Sequence, residues 1–337
     1  MKRLVAVLVL ACLVTPSCKP ARPKNHVAPL PPPLTTEQAL HRGLLRLAAG
    51  QNADGSWGED YQVAVTSLTV LAFLSNNVLD TSVQRGVAYL RTCAKESATG
   101  FIGEPGGSRS RMHGHGFAIQ ALAEWAMRGG KGDPELANSL QLAVAVSEKS
   151  QTANGGWGYL PDANNPDDLT VTVAQIQGLA TAKATGTKVS ESALGRGVEY
   201  LKKCATTDAG FKYGLSGGAG GTVALTAGGV SSLYLLGAND LSEIEQGLSY
   251  MSGKQHDPAV REKESGYYYY ATYYATLAWS HKGGIQWNDW WGKVSGEIAA
   301  RQHPDGGWSG PYDPHLCTAF GCLVLSAPRK DLAVWKE

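Results

Sequence analysis

The sequence predicts an all-α protein: an (α/α)6 toroid of six helical hairpins with an inner and an outer helix layer. Two observations carry this. A glycine–aromatic turn recurs six times, as Asp54-Gly55-Ser56-Trp57, Gly100-Phe101, Asn154-Gly155-Gly156-Trp157, Gly210-Phe211, Gly266-Tyr267 and Asp305-Gly306-Gly307-Trp308. Each turn joins an amphipathic stretch to one that is apolar almost all round. Repetition at roughly 40–55 residues marks units that bury one another's apolar faces. The amphipathic stretches read as outer helices with one wet face. The apolar stretches, residues 63–74, 116–125, 169–179, 223–236, 267–279 and 316–325, read as a buried inner barrel. A ring of this kind has a central cavity, and function is to be sought there.

The N-terminal region reads as an export signal. Lys2-Arg3 precedes an apolar run over residues 4–14, too short to span a bilayer. Thr15-Pro16-Ser17-Cys18 resembles a lipoprotein processing site that would leave Cys18 as the lipidated terminus, with ordinary cleavage and release as the alternative. Residues 19–34 contain Pro20, Pro23, Pro29, Pro31, Pro32 and Pro33, the composition of a semi-rigid tether. The expectation is an exported protein of a bacterial cell envelope, anchored to a membrane by lipid, with a repeat domain over residues 35–328 and a tail over 329–337.

The repeats share more than the turn. The outer stretches read Arg42-Gly43-Leu44-Leu45-Arg46-Leu47, Arg85-Gly86-Val87-Ala88-Tyr89-Leu90, Arg196-Gly197-Val198-Glu199-Tyr200-Leu201 and Gln246-Gly247-Leu248-Ser249-Tyr250-Met251. Gln51, Gln151 and Gln302 stand ahead of the three tryptophan turns. This pattern resembles the repeat of squalene and oxidosqualene cyclases and of protein prenyltransferase β-subunits, which share an α/α toroid. Met112-His113-Gly114-His115-Gly116, Thr226-Ala227-Gly228-Gly229-Val230 and Tyr268-Tyr269-Tyr270-Ala271-Thr272 are also similar to secreted bacterial squalene-cyclase-like repeat proteins of unknown function.

Composition narrows the classes. Hydrophobic residues make up 43% of the chain, enough for a large core. A formal charge of +1 without any basic run argues against nucleic acid as a partner. Cys93, Cys204, Cys317 and Cys322 read as buried thiols, because a core this large needs no disulfide framework.

In a toroid the inner-helix N-termini converge on one rim, which their free N–H groups make mildly positive. Four groups there could carry chemistry. Asp167-Asp168, after Asn164-Asn165-Pro166, stands where the resemblance places the Asp-x-Asp-Asp acid of squalene cyclases. Carried over, Asp167 is the general acid and Asp168 its neighbour; the alternative is that Asp168 caps the helix starting near Leu169. His113 and His115, with Arg109 and Arg111 before them, could bind metal or act as acid and base. Asp313, His315 and Cys317 supply the atom types of the prenyltransferase zinc site, though not its spacing. Tyr269, Tyr270 and Tyr273, with Trp125, could line a ligand site.

The leading expectation is a protein that holds a small-molecule ligand in or at the rim of the cavity, with an isoprenoid implied by the resemblance. The alternatives are a polysaccharide lyase or hydrolase using the polar rim, and a squalene-type cyclase acting through Asp167. No cofactor is expected beyond that zinc, and the sequence names no protein partner. A polar, tyrosine-lined groove open at one face would favour the saccharide enzyme; a dry, aliphatic tunnel would count against it.

Overall fold

The computed structural model describes residues 34–336, apart from 98, 105–110, 218–219 and 255–256 and the side chains of residues 111, 258 and 261. The leader, Cys18, the tether over residues 19–33, Arg109 and the Arg111 side chain lie outside the described residues.

Thirteen α-helices are found among the described residues. Six form an inner ring: α2 (Gln62–Leu74), α4 (Arg111–Ala126), α6 (Leu169–Ala184), α8 (Val223–Leu235), α11 (Tyr268–Lys282) and α13 (Pro314–Ser326). Each touches the next, and α13 touches α2, so the ring closes. The outer layer is α1 (Thr36–Ala49), α3 (Thr81–Glu96), α5 (Pro134–Ser150), α7 (Glu191–Cys204), α9 (Ser242–Lys254) and α12 (Gly284–Ala300). A short helix, α10 (Pro258–Lys263), lies between α9 and α11 in the chain. The predicted all-α toroid is therefore the observed fold. None of the described helices is long and apolar enough to cross a membrane.

The repeat motif is a set of bonds that fix each turn to the two helices it joins. Trp57, Trp157 and Trp308 are buried, and each indole donates to a carbonyl of the outer helix before it: Leu47 at 2.7 Å, Ser147 at 2.7 Å and Ile298 at 2.8 Å. In four of the six turns the backbone N–H of the aromatic goes to a threonine of the following inner helix. The pairs are Trp57–Thr66, Trp157–Thr172, Phe211–Thr226 and Trp308–Thr318, at 2.9–3.1 Å. Inner helices can thus carry a hydroxyl inside the core, because the turn consumes it.

The arginine–glycine pair serves the same junction. Arg85 donates to the carbonyls of Asn52 and Ala53, and Arg42 to that of Pro304. Gly86 lets the Trp57 ring come so close that a Cβ there would stand 2.7 Å from it. Gly155 has φ 98°, the left-handed region that glycine enters freely, and a Cβ there would meet the Arg196 carbonyl.

The lumen is filled over much of its depth. Tyr274 of α11 reaches past α8 to donate to Gln177 of α6 at 3.0 Å. Tyr270, Tyr273 and Phe320 pack ring against ring beside it. At the C-terminal ends of the inner helices, residues 332–335 pack across the ring. Leu332, Val334 and Trp335 are buried, and Trp335 lies edge-on to Tyr273, 5.9 Å between centroids. Glu124 accepts from Ala333 N–H, Arg128 donates to the Asp331 carbonyl and to Glu124, and His281 bonds the Val334 carbonyl at 2.9 Å.

All four described cysteines are free and buried. Burial pushes the thiols of Cys93, Cys204 and Cys317 up to about 11. They are protonated and inert at neutral pH.

Candidate functional site

The open end of the ring is the mouth formed by the inner-helix N-termini. Its floor begins with a two-residue antiparallel ladder, β1 (Trp157–Gly158) against β2 (Asp167–Asp168), with Trp157 opposite Asp168. Adjacent strand residues point to opposite faces, and this separates the two aspartates.

Asp168 faces the mouth. It is 1% exposed and caps α6: Oδ1 accepts from the N–H of Thr170 at 2.6 Å and of Val171 at 3.2 Å. The Thr170 hydroxyl also donates to Oδ1, at 2.5 Å. Oδ2 is buried and has no hydrogen-bond partner. Asp167, 8% exposed, turns the other way, where its Oδ2 accepts from Asn154 at 2.8 Å and Thr152 at 3.4 Å. The expectation that Asp167 stands in the cavity as an acid is corrected by this alternation.

His113, in the first turn of α4, meets Thr170 across the α4–α6 boundary, with Nε2 2.8 Å from Oγ1. Its Nδ1 is buried and unpartnered. Burial lowers its pKa to about 4, against a weaker opposing pull from the Asp168 charge. Tyr270, in the first turn of α11, has a third buried, unpartnered polar atom, its hydroxyl. Burial first, and the Asp168 charge second, raise that phenol well above its ordinary value.

Around this centre stands a collar of tyrosines from five hairpins. Tyr159 packs on His113, 5.7 Å between ring centroids, and its hydroxyl bonds that of Tyr213. Tyr267 and Tyr312 pack at 6.2 Å, and Tyr61 and Tyr159 lie close enough to Tyr312 to act on its charge. Tyr61, Tyr213, Tyr267 and Tyr312 are exposed. Burial pushes Tyr159 up to about 12, and Asp168 adds to this. Tyr61 opens α2 with φ 55°, an uncommon conformation for a bulky residue.

Other predicted site residues fall elsewhere. His115 is fully buried: Nδ1 accepts from Ile102 N–H at 3.0 Å, Nε2 donates to the Ala143 carbonyl at 3.1 Å, and the ring stacks on Phe101. It staples the second turn to α5 and takes no part in the mouth. Trp125, near the end of α4, packs against Gly129 and Gly130 in the turn that follows, so it does not line the mouth. Tyr273 lies deep, between Phe320 and Trp335, and Tyr269 is half-buried against Tyr268.

The zinc set does not assemble. Asp313 caps α13 and bonds His315 Nδ1 at 3.2 Å, while its Oδ2 accepts from Glu59 N–H at 3.2 Å. Cys317 is buried one turn on as a neutral thiol. Among the described residues no three histidine, cysteine or acidic side chains are placed to hold a metal.

Thr170, Tyr61, Tyr159 and Tyr213 are the residues that sequence reasoning missed. A signal was present: a tyrosine follows the turn aromatic by two to four residues in Trp57…Tyr61, Trp157…Tyr159, Phe211…Tyr213 and Trp308…Tyr312.

No protein-family model and no curated protein matches the sequence. Solved structures do. The type II terpene cyclase MstE from Scytonema, bound to its substrate geranylgeranyl dihydroxybenzoate, is 16% identical with a TM-score of 0.59, covering 87% of this chain and 98% of that one. The α-1,6-mannanase GH76A of Salegentibacter, bound to α-1,6-mannotriose, is 7% identical with a TM-score of 0.64, covering 86% and 98%. A protein from Actinoplanes is 14% identical with a TM-score of 0.59, covering 87% and 99%. At these identities the likeness establishes the fold alone, an α/α toroid.

Proposed function

We propose that this toroid binds a small molecule in its N-terminal mouth, held by Asp168, His113 and Tyr270 and flanked by the tyrosine collar. One observation carries the reading. Three buried polar atoms without partners, Asp168 Oδ2, His113 Nδ1 and Tyr270 Oη, belong to the first turns or caps of three inner helices. Buried polar groups are almost always satisfied, so three together mark a place where something else supplies the bonds. The fold neighbours support this at the level of fold, since MstE and the mannanase each hold an organic ligand.

The character of the mouth favours a polar ligand over the isoprenoid implied by the sequence resemblance. The collar is hydroxylated and open to solvent, and Tyr270, Tyr273, Tyr274 and Phe320 occupy the depth where an apolar chain would lie. The test is native mass spectrometry of the mature chain against a metabolite extract. A retained mass that Asp168→Asn abolishes supports the site; one that survives the substitution moves it elsewhere.

Saccharide chemistry at the same rim is the second reading, favoured by the exposed collar, whose ring faces suit sugar stacking. Paired-carboxylate hydrolysis does not fit, because Asp167 is turned away and a glycosidase needs two carboxyl groups roughly 5–10 Å apart across the bond. Release of new sugar ends from polysaccharide by wild type, lost in His113→Ala, would support it.

Export and lipid anchoring through Cys18 complete the proposal, on the strength of the charged start, the short apolar run and the proline-rich spacer. Labelled fatty acid should enter the full chain in a bacterial host and fail to enter Cys18→Ala.

A further inference from the structure

We propose that the ligand of this mouth carries a protonated primary or secondary amine. This rests on the site reading above and adds a charge class to it.

The first ground is proton accounting. The Thr170 hydroxyl has one hydrogen, and it goes to Asp168 Oδ1 at 2.5 Å. At the 2.8 Å contact with His113 Nε2, Thr170 Oγ1 must then accept, so Nε2 carries the proton. A neutral imidazole protonated at Nε2 presents a bare lone pair at Nδ1. Burial keeps the ring neutral at pH 7. Asp168 Oδ2 is likewise an acceptor, and both atoms are buried and empty-handed. A ligand that meets both atoms must bring donors.

The second ground is charge. Asp168 is 1% exposed, and among the described residues no lysine, arginine or histidine forms an ion pair with it. The helix cap stabilises Oδ1, and the hydroxyls that approach Asp168 from the collar, those of Tyr159 and Tyr213, are neutral and supply no counter-charge. A buried carboxylate without a counter-charge is costly, and a cation at Oδ2 relieves that cost where a neutral donor relieves it only in part. An anionic group, such as the diphosphate of a prenyl donor, would meet repulsion from the same atom.

The third ground is the collar. Tyrosine faces are electron-rich, and an ammonium within about 6 Å of a ring is attracted to it. Tyr159 flanks His113 and bonds Tyr213, whose phenol is raised by burial and by its contacts with Asp168. The N–H bonds to Asp168 and His113 favour a primary or secondary amine over a quaternary one, which has no hydrogens to give.

The test is calorimetric titration of the mature chain at pH 7.5 with three four-carbon probes: n-butylammonium, 1-butanol and butyrate. Butylammonium should bind at least about tenfold more tightly than 1-butanol, and butyrate should not bind. Asp168→Asn, which keeps a good cap, should erase the preference, and Asp167→Asn should keep it. Tyr213→Leu, at an exposed position, should weaken the amine more than the alcohol. Equal affinity for amine and alcohol, with both weakened by Tyr213→Leu, overturns the charge inference and leaves the mouth as a ligand site. Amine binding indifferent to Asp168→Asn overturns the inference as well. Failure of every probe to bind overturns this inference and the site reading together.

Discussion

Gln302 joins the last turn of the ring to its first helix: Nε2 donates to the Ala39 carbonyl at 2.7 Å and to the Gly306 carbonyl at 2.8 Å. Gln51 bridges Gly55 and Ser82 in the same way, and Gln151 bridges Gly155 and Ala193. One glutamine thus ties each tryptophan turn to the next hairpin, and the copy at Gln302 closes the circle. Gln302→Ala removes both bonds and leaves two carbonyls facing one another's neighbours. It should cost about 2 kcal/mol, read as a lower urea midpoint with unchanged slope. Gln151→Ala should cost a similar amount, because the geometry is the same. A loss under about 0.5 kcal/mol would mean that water replaces the amide.

His115 gives the fold an acid limit. Its folded pKa is lowered by burial from 6.5 to about 4. The unfolded chain therefore takes up a proton that the folded protein refuses, and stability is complete above about pH 6.5 and falls as pH drops toward 4. At pH 5 the loss from this residue is about 2 kcal/mol relative to pH 7.5. His115→Gln should flatten the dependence of the urea midpoint on pH over that window. A dependence unchanged in the variant would place the acid sensitivity elsewhere.

The architecture was legible in the sequence because each repeat writes it independently. The Gly–aromatic turn, the Arg-Gly pair and the glutamine are short-range signals, and each corresponds to a bond made within one junction. The site was less legible, because it depends on direction. Asp167 and Asp168 are adjacent and chemically identical; only the Trp157–Asp168 register decides which one enters the mouth. His113 and His115 are two residues apart on a helix, so they point to different sides, one to Thr170 and one to Ala143. The collar tyrosines sit in separate turns and become neighbours only when the ring closes.

Trp335 reports on the closed end of the ring. It is buried against Tyr273, but its indole N–H has no partner. Trp335→Ala opens a cavity and should cost about 3 kcal/mol or more. Trp335→Phe keeps most of the ring and deletes the unpaired donor, so it should cost less than about 1.5 kcal/mol. If both substitutions are neutral in thermal denaturation, the C-terminal segment is not held in the ring in solution.

Asp168 has two separable roles, one on each oxygen. Oδ1 caps α6 through Thr170 and Val171, and Oδ2 faces the mouth without a partner. Asparagine caps a helix about as well as aspartate, whereas alanine loses the cap at a cost of about 1–2 kcal/mol. Asp168→Ala should therefore destabilise the fold. Asp168→Asn should leave stability unchanged or raise it, since it removes an unpaired buried charge while keeping an acceptor at Oδ1. Urea unfolding of the two variants checks this. Equal destabilisation by both would mean that the charge itself is needed for folding, so that Oδ2 is compensated in solution even without ligand.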